Sequence, residues 1–172
     1  MPIYDGTNPP NVEGCYFIDP FEAVYCEDYG NGGYEPGHLV KSHYINLKSQ
    51  NKETNTIDME ECSYDFSSYA IGEGAFISGE GKNFTVFFNT IGTMSGISTR
   101  TALLLSGTKA TDGIKNLRYA FVMVEKGDDP EGILMKEGVF RVFQDKDGIS
   151  YSDTWPISET RVGEWLPENC NF

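Results

Sequence analysis

The chain has 172 residues, 11 Phe, 10 Tyr, 19 Gly and a formal net charge of −13. That length suits one domain with a substantial core, and the acidic surplus argues against nucleic acid and anionic membrane surfaces, which would repel it. No window approaches the roughly 20 apolar residues that cross a bilayer as a helix.

Residues 1–14 are polar and proline-bearing and read as an N-terminal tether, extended over residues 4–14. No basic segment followed by an apolar one opens the chain. We therefore expect an upstream signal that has been removed, with Met1 added ahead of the tether. Residues 15–172 read as a single β domain. Its first hairpin is expected to pair residues 15–18 with 23–26 across a turn at Asp19-Pro20. Residues 27–37, with Asn31-Gly32-Gly33, read as a long mobile loop. Residues 39–48 read as a strand with no cleanly apolar face.

From there the chain is a succession of short runs over residues 56–61, 64–70, 74–78, 84–89, 99–106, 117–125 and 139–144, separated by glycine-bearing turns. Strands of this length and spacing predict an antiparallel all-β domain. Ile57 and Met59 alternate with Thr56, Asp58 and Glu60, as in a sheet with one wet face. Leu117, Tyr119, Phe121 and Met123 share one face of their run, and Val139, Arg141 and Phe143 share one face of theirs. Asp147-Gly148 suits a tight turn. Phe84, Val86, Phe88, Leu103 and Leu105 complete the expected core. No segment sustains helical periodicity; residues 158–165 allow one short turn, and residues 151–172 are expected to pack across one end of the sheet. The rhythm of about nine or ten strands favours an antiparallel meander, a lipocalin-like up-and-down barrel, over a two-sheet β-sandwich.

Cys15, Cys26, Cys62 and Cys170 match no zinc template, and four cysteines allow three pairings. A hairpin at Asp19-Pro20 would face Cys15 with Cys26 and leave Cys62 for Cys170; free buried thiols are the alternative. His38 and His43, five apart, point to opposite faces of a regular strand, so no metal site is expected. Asp145-Lys146-Asp147-Gly148 fails as a calcium loop, because Gly148 at the sixth position puts Phe143 first and Thr154 twelfth. The acid pairs Glu60-Glu61 and Asp128-Asp129 border turns, where carboxylates are solvated. Ser95-Gly96 and Ser106-Gly107 lack nucleophile-elbow spacing, and no phosphate-cradling glycine loop leads into a helix. These absences predict a non-enzymatic protein without a cofactor.

Tyr16, Tyr25, Tyr29, Tyr34 and Tyr44 gather in the N-terminal third beside the glycine loop. Tyrosine offers a flat apolar face and a hydroxyl at low entropic cost. Tyr29, Tyr34 and Tyr44 are therefore candidate ligand contacts, with Trp155 and Trp165 competing for that role.

Three stretches carry a resemblance: residues 7–14, Gly74-Ala75-Phe76-Ile77-Ser78-Gly79 running into Asn83-Phe84-Thr85-Val86, and Ser106-Gly107-Thr108 with residues 113–123. Together they resemble uncharacterised cell-envelope lipoproteins of Bacteroidetes-type gut bacteria, in which a signal peptide and a lipid-bearing cysteine precede such a tether. The resemblance implies an extracytoplasmic place, at the outer membrane or cell surface, held only through a lipid anchor outside this chain. Cys15 lies after the tether and is no anchor. The expected partner is a small molecule, a glycan or an envelope protein. An adhesive scaffold and a hydrolase with unidentified acids are the other two readings.

Overall fold

The hydrogen-bond ladder turns back on itself. The computed structural model describes residues 1–157, and all regular structure among them is β. Twelve strands follow in chain order: β1 (Thr7–Asn8), β2 (Gly14–Ile18), β3 (Phe21–Cys26), β4 (Leu39–Val40), β5 (His43–Asn51) and β6 (Thr56–Ser63), then β7 (Ser68–Glu80), β8 (Asn83–Met94), β9 (Ile97–Lys109), β10 (Gly113–Lys126), β11 (Phe140–Asp145) and β12 (Ile149–Asp153). From β5 to β10 each strand pairs antiparallel with the next. β10 then pairs with both β11 and β12, and these pair in turn with β3 and β2. β2 bonds β5 and β3 bonds β4, which closes the ring. This is the up-and-down, barrel-like meander rather than the sandwich.

Three ring positions are strands broken midway. β2 and β3 run in one direction on either side of the cis Asp19-Pro20 bond and do not pair with each other. β4 and β5 are separated by Lys41-Ser42. β11 and β12 are both antiparallel to β10, with Gln144 opposite Arg118 and Ile149 opposite Lys115. Two expectations are therefore corrected. Asp19-Pro20 does not turn a hairpin, and residues 145–148 loop out of a continuing strand instead of reversing it. With β2/β3, β4/β5 and β11/β12 each counted once beside β6, β7, β8, β9 and β10, the ring has eight positions. The correction extends to the cysteines: Cys15 and Cys26 lie on strands that do not pair, each as a buried thiol. Cys62 is also a buried thiol; Cys170, Trp165 and the turn expected over residues 158–165 lie outside the described residues.

Longer strands replace some of the expected short ones. Residues 64–70 and 74–78 belong to a turn and to the single strand β7, which bulges between Ile71 and Phe76 opposite β8. At the bulge Gly74 takes a φ of 62°, and its N–H donates to Asp58 Oδ1 at 2.8 Å. A left-handed backbone of this kind suits glycine.

Alternation then fills the interior. Ile57 and Met59 of β6, Ile77 of β7, Phe84 and Val86 of β8, Leu105 of β9 and Leu117 of β10 are each at most 1% exposed. Of the expected core, Phe84, Val86, Phe88, Leu103, Leu105, Tyr119, Phe121, Met123 and Phe143 are buried, and Val139 packs partly buried against the cluster. Residues 4–14 are extended and dock across this packed end. Tyr4 N–H donates to Thr85 Oγ1 at 2.8 Å, Ser78 Oγ donates to the Tyr4 carbonyl at 2.8 Å, and β1 runs parallel to β7. Gln50 holds the segment by accepting from Val12 N–H at 2.8 Å and donating to the Pro10 carbonyl at 2.9 Å, and Val12 is fully buried. A smaller cluster of Cys62, Tyr69 and Ile157, with Tyr44, Ile71 and Trp155 against it, covers part of the outer wall. The described part of the C-terminal segment thus lies along the ring's flank and not across its end.

Candidate functional site

The opposite end of the ring is not filled. A cavity of about 490 Å³ opens there, bordered by Tyr34 and His38, the β6–β7 and β8–β9 turns and Ile133-Leu134 of the β10–β11 connection. The inward positions that reach it continue those of the packed end but change chemistry. On β6, Ile57 and Met59 are followed by Glu61 and Ser63; on β9, Leu105 and Leu103 are preceded by Thr101 and Thr99; on β5, Leu47 and Ile45 are preceded by His43. Phe21, Phe121 and Phe143 supply the apolar part of the wall.

Glu61 is the chemical centre of this wall. It is only 7% exposed, and both its oxygens accept from the single Tyr119 hydroxyl, at 3.0 and 2.8 Å. Burial penalises the charged carboxylate and pushes its pKa up to about 7, against which the Tyr119 hydrogen bond works. Burial, together with the neighbouring carboxylate, moves the Tyr119 hydroxyl well above its ordinary value. Tyr119 packs edge-on to Phe21 with ring centroids 5.6 Å apart, and to Phe121 at 5.9 Å. His43 stands 6.4 Å from Tyr119, ring to ring, and its Nδ1 lies 3.2 Å from the Lys41 carbonyl. Burial lowers its pKa, so the ring is neutral at pH 7; Nδ1 then carries the hydrogen and Nε2 is left as an acceptor. Thr90 and Thr101 share a buried hydroxyl–hydroxyl bond of 2.5 Å.

The mouth is braced by ion pairs. Arg141 grips Asp28 with Nε to Oδ1 at 3.1 Å and Nη2 to Oδ2 at 2.5 Å, and lies 5.0 Å above the Tyr34 ring. The Arg141 guanidinium holds the Asp28 carboxyl below its usual range. Tyr34 stacks on His38, with centroids 4.8 Å apart and an interplanar angle of 10°. Lys41 pairs with Asp65 and donates to Ser67 Oγ at 3.1 Å.

Of the tyrosines and tryptophans singled out in the sequence, Tyr34 lines the cavity. Tyr29 lies on the same loop but is 59% exposed. Tyr44 points outward, stacked on Phe17 at 4.5 Å, and Trp155 packs on the outer cluster. His38 and His43 both line the cavity, because the break at Lys41-Ser42 interrupts the alternation that would have opposed them. No group of three His, Cys, Asp or Glu able to hold a metal occurs among the described residues. Glu61 was expected to be solvated at a turn border; it faces inward instead, two residues before the strand ends. The signal that marks it is its place in the series Ile57, Met59, Glu61, Ser63, where a carboxylate continues an apolar face.

Comparison with known proteins finds no matching family model, no similar curated protein and no similar solved structure.

Proposed function

We propose that this chain is a non-catalytic binding protein of the cell envelope, which holds a small, largely apolar ligand in the cavity at the open end of the ring. The observation that carries the reading is the cavity itself: about 490 Å³, floored by packed core and walled by aromatic and aliphatic side chains among which hydroxyls, two histidines and Glu61 are set. Sites for small molecules have this size and lining. A scaffold gains nothing from leaving such space empty, since unfilled interior volume costs stability. The envelope location is supported by the resemblance of residues 7–14 and of the strand and turn stretches to envelope lipoproteins, and detection in the cytosolic fraction alone would overturn it.

The binding reading is tested by titrating the protein with the neutral fluorophore N-phenyl-1-naphthylamine. Saturable one-to-one enhancement is expected, and it should vanish in Ala70→Trp, where a large ring is added to the cavity wall. Enhancement that never saturates, or that survives Ala70→Trp, would favour a scaffold.

A further inference from the structure

The chemistry of the cavity wall narrows the ligand, on the reading that the cavity binds one. Glu61 is a buried carboxyl with a single donor, the Tyr119 hydroxyl, which reaches both of its oxygens. One hydroxyl carries one hydrogen, whereas a carboxylate has room for about four donors. The charged groups that share the cavity do not supply the rest. Arg141 is engaged by Asp28 and Lys41 by Asp65. His43 lines the cavity as a second acceptor, and the remaining titratable groups along the wall are His38 and Tyr34, with Tyr69 bordering it from the outer cluster. Buried charges are ordinarily paired or neutralised, and the protein brings no cation to Glu61 among the described residues. The same cavity is lined by aromatic rings packed on one another: Tyr119, the partner of Glu61, lies edge-on to Phe21 with centroids 5.6 Å apart, and Phe121 stacks on Phe143 at 6.0 Å with an interplanar angle of 11°.

We propose that the cavity takes an organic cation, an amine carried on an apolar or aromatic body, whose ammonium group sits between the Glu61 carboxylate and the surrounding ring faces. An ammonium supplies N–H donors for Glu61 and for the free nitrogen of neutral His43, and aromatic faces attract it in a desolvated site. The apolar body fills the space between the phenylalanines. The net charge of −13 draws cations toward the molecule from solution. Without ligand, Glu61 holds its proton below about pH 7; an ammonium favours the carboxylate and the proton leaves to solvent, so binding strengthens as the pH rises through about 7.

The test is isothermal titration with three ligands of one shape: 2-(1-naphthyl)ethylamine, 2-(1-naphthyl)ethanol and 1-naphthylacetic acid. At pH 8 the amine should bind at least about tenfold tighter than the alcohol, and the acid weakest, since a desolvated cation–π contact adds to a charge-assisted hydrogen bond. The preference should shrink severalfold at pH 5.5. Glu61→Gln should level the amine with the alcohol, and saturable binding of the neutral fluorophore by the same variant shows that it is folded. If the alcohol or acid binds as tightly as the amine, or the amine preference survives Glu61→Gln, the cationic ligand is overturned and the binding reading stands. If none of the three binds and the neutral fluorophore also fails, both fall.

Discussion

The two ends of the ring interior are built by the same strands under the same alternation, yet one is solid and the other hollow. On β6 the inward series passes from Ile57 and Met59 to Glu61 and Ser63, and on β8 from Val86 and Phe88 to Thr90. β9 and β5 change in the same sense, from Leu103 to Thr101 and from Ile45 to His43. Pairing aligns the switch on β8 with that on β9, since Thr90 lies opposite Thr101, while β5 changes one inward position later than β6, with Ile45 opposite Glu61 and His43 opposite Ser63. A strand does not change its hydrogen-bond geometry when its inward residues turn polar. The packed end therefore holds the ring together, and the open end can accept polar groups and a cavity without unravelling it. Stability and recognition are separated along the strand axis.

The sharpest way to break this comparison is to remove one large ring from each end. Phe84, fully buried in the packed end, should cost roughly 3–5 kcal/mol as Phe84→Ala, because truncation adds an empty cavity to the lost transfer energy. Phe121 borders a cavity that already exists. Its truncation enlarges a hole rather than opening one, so Phe121→Ala should cost about half as much. Both are read from denaturant midpoints at constant m. Equal losses would show that the open end is as tightly packed as the closed one.

The next effect has the opposite sign. The Glu61 carboxyl, raised from 4.5 to about 7 in the folded protein, binds a proton more tightly folded than unfolded. Its contribution to stability is complete below about pH 4.5 and is lost as the pH rises through about 7. Glu61→Gln should therefore be neutral near pH 4 and stabilising at pH 8, by up to about 3 kcal/mol, less whatever cavity water screens. Asp145 adds a slope of the same sign, raised by burial and by Asp147, and it remains in that variant. A Glu61→Gln difference that does not change between pH 4 and pH 8 would mean that the carboxyl is solvated.

The packed end was legible in the sequence and the open end was not, for a physical reason. An apolar residue at every second position has one stable place, so Phe84, Val86, Leu103 and Leu105 declare their face unaided. A polar residue on the same face reads equally well as a turn border, and Glu61 was read so, beside Glu60. Only the closed ring, which brings Tyr119 of β10 within hydrogen-bond reach of Glu61 of β6, reveals a site, and that closure depends on contacts between strands far apart in sequence. The breaks at Asp19-Pro20 and residues 145–148 are ambiguous for a related reason: turn residues signal a departure from regular strand, but not whether the chain reverses or continues.

A smaller effect tests how the packed end is closed. Gln50 is the side chain that holds both Pro10 and Val12, so Gln50→Ala should cost about 1–2 kcal/mol for two half-buried hydrogen bonds. Amide exchange should accelerate at Val12 and leave the Glu61 strand protected. Acceleration at both ends alike would contradict their separation.

The smallest effect belongs to the rim of the open end. Lys41 pairs with Asp65 where both side chains are substantially exposed, at 61% and 43%. Water and salt screen such a pair, and holding two side chains in place offsets much of the attraction, so Lys41→Met should change stability by less than about 1 kcal/mol. Asp65 keeps hydrogen bonds from Ser63 and Ser67 and does not become an isolated buried charge. Whatever is lost should fade as salt shortens the reach of exposed charges. Binding of a neutral ligand should be unaffected, because Lys41 sits at the mouth and the rings that enclose the ligand lie below it. A loss comparable to that of Phe84→Ala would place the mouth in the stabilising frame and remove the distinction between the two ends.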